Sequence, residues 1–225
     1  MIHLHNMDCM IAMKGFESDY FDLSIVDPPY GIGFDGNSTS VCRKGINRGF
    51  SKKQHHKKKH WDKVTPSQQY FDELLRVSKN VIIWGGNYFA DKLPPSRGWI
   101  YWDKKISNRN EQMFSDGELA YTSFNIRLKK FTYDWIGVGY INNPDKQKKI
   151  HPTEKPIALY KWLFSTYSES GQRILDTHLG SASSAIAAYQ SDMNLEFYGY
   201  EIDKEYFDSA LNRFNEVKRQ VRLFA

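Results

Sequence analysis

Cysteine is nearly missing from this chain: Cys9 and Cys42 are the only two. Two cysteines cannot build a disulfide framework or a cysteine-rich zinc site, which points to a reducing compartment. Long apolar runs are missing too, and none reaches the ~20 residues of a membrane span. The N-terminal stretch Met1 to Cys9 turns polar within a few residues, so no secretory leader is expected. Neither a GKS/T phosphate loop nor a complete GxGxxG occurs, which leaves ATP and NAD without support. Acidic residues are absent from one segment. Between Arg43 and His60 stand Arg43, Lys44, Arg48, Lys52, Lys53, Lys57, Lys58 and Lys59, with no Asp or Glu among them. Removing these eight charges takes the net charge from +5 to −3, so the basicity of the protein resides in one segment. Such a run is often only a solvated face. His55, His56, Gly45 and Gly49 are interleaved in it, and a reactive-looking motif lies just upstream. The sharper reading is a mobile arm at 36–63 that meets a polyanion. The chain is expected to form one soluble, cytoplasmic domain over 1–225.

What is present alternates between short apolar runs and longer periodic stretches. Asp22–Val26, Asn80–Trp84, Gly98–Trp102, Arg173–Asp176 and Leu195–Tyr200 read as buried strands. Ser67–Ser78, Pro156–Tyr167, Ser181–Tyr189 and Asp203–Val217 read as helices, with Pro66 and Pro156 in first turns and Asp203 as a cap. Strands alternating with helices predict an α/β fold, doubly wound around a mostly parallel sheet. The stretch 105–149 is rich in Asn, Lys and aromatic residues. It offers only short strand candidates, Leu119–Thr122 near its middle and Thr132–Ile136.

Three motifs carry chemistry. Asp27-Pro28-Pro29-Tyr30 directly follows a predicted strand. Two prolines fix the backbone, so the Asp27 carboxylate and the Pro28 carbonyl become two acceptors with little freedom, beside an aromatic ring. That combination suits a planar group bearing an amino function, a nucleobase. Four residues alone would equally describe a proline-rich turn. The second motif, Asp176-Thr177-His178-Leu179-Gly180-Ser181, lies between strand and helix, where open α/β sheets bind cofactors. Glu201 follows Gly180 by 21 residues, at the end of the next strand. A carboxylate there is placed to accept from both ribose hydroxyls of a nucleoside. The third, His151-Pro152-Thr153-Glu154-Lys155-Pro156, opens a helix. Thr153 could cap that helix and Lys155 could meet a carboxylate; on its own, a capped surface helix is the favoured reading.

DPPY, HPTEKP, DTHLGS and GYEID, in that order, resemble the S-adenosylmethionine-dependent DNA amino-methyltransferases, specifically the permuted beta group in which the catalytic motif precedes the cofactor motif. Asn6 to Cys9, VIIWGGNYF at 81–89, WIYWDK at 99–104 and FSDGELAYT at 114–122 extend the likeness over nearly the whole chain. The resemblance implies a Rossmann-like methyltransferase sheet and a catalytic role for Asp27, Pro28, Pro29 and Tyr30. It assigns S-adenosylmethionine to Asp8, Cys9, Asp27, His151, Thr153, Lys155, Asp176, His178, Gly180, Ser181 and Glu201, with Asp8 toward the adenine and 151–155 toward the methionine end. It makes 105–149 a short target-recognition region and double-stranded DNA the substrate, gripped by the basic arm. No metal is implied. It leaves room for a homodimer and for a cognate restriction enzyme. The family usually has Pro and Phe after the motif aspartate, where this chain has Thr177 and His178, and a second glycine where it has Ala182.

Adenine is the expected base, because DPPY is commoner with adenine and SPPY with cytosine. Ring-carbon methylation would need a cysteine after proline, and Cys9 follows Asp8 while Cys42 follows Val41. RNA or protein-glutamine methyltransferases usually have Asn in the first motif position. A non-catalytic DNA-binding protein on the same fold is the alternative of a different class.

Overall fold

The computed structural model describes residues 1–33, 61–104, 115–135, 150–151 and 153–223. The basic residues from Arg43 to Lys59 and most of 105–149 lie outside the described residues. Among the described residues eight strands form one sheet: β1 (Ile2–Asn6), β2 (Leu23–Val26), β3 (Val81–Trp84), β4 (Trp99–Asp103), β5 (Gly117–Thr122), β6 (Lys129–Thr132), β7 (Arg173–Asp176) and β8 (Glu196–Glu201). The helices are α1 (Cys9–Met13), α2 (Gln68–Val77), α3 (Ile157–Tyr167), α4 (Ser183–Tyr189) and α5 (Lys204–Leu223).

The strand order is β1-β8-β7-β2-β3-β5-β4-β6. Of these strands only β5 runs against its neighbours, pairing antiparallel with both β3 and β4. Central strands buried on both sides are nearly all apolar, and β2 and β3 read LSIV and VIIW, buried throughout, with the Ser24 hydroxyl bonded to that of Ser78 at 2.6 Å. Alternate residues feed two layers. Ile82 and Trp84 join α3, α4 and α5 through Leu163, Ala185 and Phe214. Val81 and Ile83 join α1 and α2 through Met13, Phe71 and Leu74. Helices thus cover both faces, the doubly wound arrangement.

The chain leaves β2 through α2 toward β3 and leaves β7 through α4 toward β8, in opposite directions along the sheet. Between β2 and β7 lies the switch point, where the two loops part and a crevice opens at the carboxyl ends of the strands. Asp27 follows β2 there and the 177–182 turn follows β7.

Several boundaries differ from the sequence reading for physical reasons. Pro66 precedes the capping position Ser67 and so lies outside α2. Pro156 occupies the cap position of α3, one residue before the helix. The strand expected at 132–136 is β6, shifted back to 129–132 by its register with β4. Asp203 does cap α5, accepting from the amides of Glu205 and Tyr206 at 3.0 Å each. No helix among the described residues is long and apolar enough to cross a membrane.

Candidate active site

Two adjoining clusters stand at the switch point. The first is charged. Tyr30 donates to Oδ1 of Asp27 at 2.7 Å, and Lys155 forms an ion pair with Oδ2. Lys155 also lies 3.2 Å from Oε2 of Glu118, whose Oε1 binds Lys104 at 2.5 Å. Glu118 reaches this place because β5 is antiparallel: its N-terminal end lies beside the carboxyl ends of the parallel strands.

Burial raises the Asp27 carboxyl above its usual range, against the pull of Lys155. Burial would raise Glu118 too, but Lys155 and Lys104 outweigh it and hold that carboxyl at about 2. Lys155 shows the reverse balance: burial opposes its charge, and Asp27 and Glu118 together raise its pKa. With 5% exposure, Lys155 is no surface residue, which corrects the reading of a capped surface helix. Thr153 does not cap α3 either. Its hydroxyl meets Nδ1 of His151 at 3.1 Å, and α3 has no side-chain cap.

The Tyr30 ring is stacked on Tyr88, centroids 4.9 Å apart and planes 16° apart. It also presses against Gly85, which has φ +71° and where a Cβ would lie 2.2 Å from the ring. Both the sign of φ and the close approach require glycine there. Tyr30 is therefore already packed, and Tyr88, 42% exposed, carries the outward-facing aromatic surface.

The second cluster is a cavity of about 250 Å³ beside Asp27. Of the residues singled out in the sequence, Asp27, Pro29, His151, Thr153, Lys155, His178, Gly180, Ser181 and Glu201 line it. Asp8, Cys9 and Asp176 do not, and neither do Pro28 and Tyr30. Asp8 caps α1 through the amide of Met10 at 2.8 Å. Burial, then the charge of Asp8, pushes the Cys9 thiol up to about 12, so it stays protonated and unreactive. Asp176 stands behind the turn: it accepts from the His178 amide at 3.0 Å and from Ser184 at 2.6 Å. Burial, only partly offset by those bonds, raises its carboxyl to about 7.

Glu201 ends β8 with its carboxylate on the cavity wall, bound by the amides of Gly180 at 3.0 Å and Asp203 at 2.9 Å. Gly180 and Ala182 both take positive φ, +52° and +60°. Alanine in the left-handed region costs about 1 kcal/mol relative to glycine. The turn is held from two sides. Tyr70 of α2 meets the Thr177 hydroxyl at 2.7 Å, and that hydroxyl meets Nδ1 of His178 at 2.9 Å. Proline at 177 could form neither of these bonds. From α5, Arg213 donates to the carbonyl of Ser181 at 2.8 Å and pairs with Glu154 at 3.0 Å, tying the turn to the 151–155 loop.

The sequence reading missed Glu118, Lys104, Trp61, Tyr70 and Arg213. Lys104 and Glu118 were quoted only within WIYWDK and FSDGELAYT, without a role, the other three stand in no motif, and only the topology brings them in. Ile202, quoted within GYEID without a role, and Asp203, read only as a helix cap, also line the cavity.

Comparison with known proteins gives first the class. Solved structures sharing this fold include the M1.HpyAVI–SAM complex, with a TM-score of 0.61 at 17% identity, covering 96% of this chain and 100% of that one. PvuII DNA methyltransferase, cytosine-N4-specific, superposes with a TM-score of 0.55 at 10% identity over 97% of this chain and 91% of its own. The fold is that of the S-adenosylmethionine-dependent methyltransferases. The family is settled by sequence: the chain belongs to the N6_N4_Mtase family of DNA methylases, which matches residues 21–212. It is 26% identical to the type II methyltransferase M.HpaI of Haemophilus parainfluenzae over 240 residues, 91% of this chain and 71% of that protein.

S-adenosylmethionine is the cofactor of this family, and the residues present suit it. The Glu201 carboxylate at a strand end can accept from hydroxyls, Leu179, Ile202 and Tyr206 give an apolar flank, and Asp27 is part of the cavity wall.

Proposed function

We propose that this chain methylates the exocyclic amino group of adenine in a specific site of double-stranded DNA, as a member of the permuted beta group. The observation that carries this reading is the position of Asp27, a carboxylate shared between the charged cluster and the cavity. The chain order supports the permuted group: β2 with Asp27 precedes β7 with the cofactor turn. Aspartate in the first motif position supports adenine through the family resemblance.

Bound S-adenosylmethionine supplies the methyl group. The remaining work falls to the chain itself. An adenine amino nitrogen is a weak nucleophile because its lone pair is delocalised into the ring. Asp27 and the Pro28 carbonyl accept from its two N–H groups, which localises that pair toward the cavity. Burial, which raises Asp27, also makes this carboxylate able to take up the proton shed by the nitrogen. Glu201 and the 178–181 turn hold the cofactor's nucleoside half, so the contribution is mainly positioning. The flipped base leaves its duplex stack at a cost of a few kcal/mol, offset by aromatic stacking on the exposed Tyr88 ring. The basic arm over 36–63 grips phosphates, and 105–149 reads the site.

Sequencing that detects modified bases, on DNA from cells expressing the chain, is the test. N6-methyladenine confined to one short motif is expected, and Asp27→Asn should remove it, with a loss on the order of 10²-fold or more in turnover. N4-methylcytosine in its place would reassign the base. DNA binding with no modified base would leave a non-catalytic protein on a methylase fold.

A further inference from the structure

Both oxygens of Asp27 already have a partner in this structure. Oδ2 holds Lys155, and Oδ1 accepts the Tyr30 hydroxyl at 2.7 Å. Each oxygen keeps a second lone pair, but an amino N–H arriving at Oδ1 would share it with the Tyr30 hydroxyl, and the new bond is stronger once one partner has left. Releasing Lys155 is costly, because its side chain is 4% exposed and a buried cation deprived of a partner is strongly destabilising. Releasing Tyr30 is cheap if its proton has somewhere else to go. A phenol has one proton and can serve one acceptor at a time. The second acceptor is already in reach: the Tyr30 oxygen lies 3.3 Å from Oε2 of Glu118.

We propose that Glu118 is a positioning residue that takes over the Tyr30 hydroxyl when the target base arrives, freeing Oδ1 of Asp27 for the amino group. This rests on the reading of Asp27 as the acceptor of that group. The hydroxyl turns from one carboxylate to the other while its ring stays stacked on Tyr88 and pressed against Gly85. Lys155 donates to the Tyr30 oxygen at 3.2 Å and touches both carboxylates, so it bridges the two states without moving. Lys104 fastens the far oxygen of Glu118 and leaves Oε2 turned toward Tyr30. Glu118 suits the task because its two lysines keep it ionised, always an acceptor and never a competing donor. No bond to carbon is made or broken by this exchange; one hydrogen bond is traded for another.

The test is a double-mutant cycle on the full chain with Glu118→Gln, Tyr30→Phe and the pair, measuring single-turnover methylation of DNA and the dissociation constants for cofactor and DNA. Glu118→Gln should lower the methylation rate by about tenfold or more, the worth of a hydrogen bond to a charged group. Cofactor binding should change by less than about twofold, since Glu118 lies outside the cavity lining. In the Tyr30→Phe background no proton needs a new acceptor, so the same substitution should cost much less. Equal losses in both backgrounds would show that Glu118 acts only on Lys155 and would overturn the exchange. If Tyr30→Phe proves inactive, a crystal structure of the wild-type protein with its DNA site and sinefungin decides. Tyr30 bonded to Glu118 supports the proposal, and Tyr30 still bonded to Asp27 overturns it. Wild-type protein that methylates no DNA base would remove the amino-group reading itself and this inference with it, whereas active wild type with additive variants removes the exchange alone.

Discussion

The amide of Gly180 donates to Oε2 of Glu201 at 3.0 Å, joining the turn after β7 to the end of β8. The bond fixes the carboxylate against the cavity wall while leaving lone pairs for a ligand. Glutamine in place of Glu201 would keep one carbonyl acceptor and present an amide group to two backbone donors. Charge-assisted bonds are about twice as strong as neutral ones, so Glu201→Gln should weaken S-adenosylmethionine binding by about tenfold. Calorimetric titration of the folded variant checks this, and an unchanged dissociation constant would mean that Glu201 holds no part of the cofactor.

His178 should shape the acid stability of the protein. Burial holds its imidazole at about 4, against the opposing charge of Asp8. The unfolded chain takes up a proton near the ordinary value of 6.5, which the folded chain does not do until about 4. Stability from this residue is therefore full above 6.5 and is lost as pH falls toward 4. Asp176, raised to about 7 mainly by burial, works in the opposite sense between its ordinary 3.8 and 7. Replacing His178 by Phe removes one of these slopes. Relative to wild type, His178→Phe should gain about 1 kcal/mol between pH 7 and pH 5, a figure discounted for partial exposure. Urea unfolding at the two pH values measures it, and a difference independent of pH would contradict the assignment.

Arg213 holds two loops that the cofactor must meet together. Its pairing with Glu154, and its bonds to Ser181 and Ser183, are buried. Arg213→Met keeps the stem and removes the charge. It should cost about 3 kcal/mol in denaturant unfolding. At temperatures where the variant is folded, it should also weaken cofactor binding, because the 151–155 loop and the 181–183 turn lose their common anchor. A variant that loses stability but binds S-adenosylmethionine as wild type does would show that the two loops are positioned independently.

The basic arm is tested in solution. Replacing Lys52, Lys53, Lys57, Lys58 and Lys59 by Gln should weaken binding to any DNA sequence. Every phosphate that the arm no longer neutralises should reduce the log–log salt slope by about 0.9. Site preference and cofactor affinity should persist. Wild-type affinity together with a wild-type salt slope would reduce the segment to a solvated charge run.

Local pattern in the sequence was enough for the class of fold, for the order of its elements from β2 onward and for most of the cavity, but not for β1 and α1. Runs such as LSIV and VIIW have one stable place, a strand buried on both faces, and the motifs attached to their ends go where those ends go. That is why Asp27, Gly180 and Glu201 could be named before their neighbours were known. Their surroundings come from parts of the chain far away in sequence. Lys155 reads locally as part of a capped helix start, yet it is buried between Asp27 and Glu118, which stand 128 and 37 residues away in sequence. Glu118 joins the site because one strand of eight runs backwards, a choice of pairing that no local pattern encodes. Arg213 and Tyr70 enter from helices on opposite faces of the sheet. Local propensity and periodicity act over a few residues, whereas the charge state of Asp27 is set by groups that meet only once the sheet has closed around the switch point.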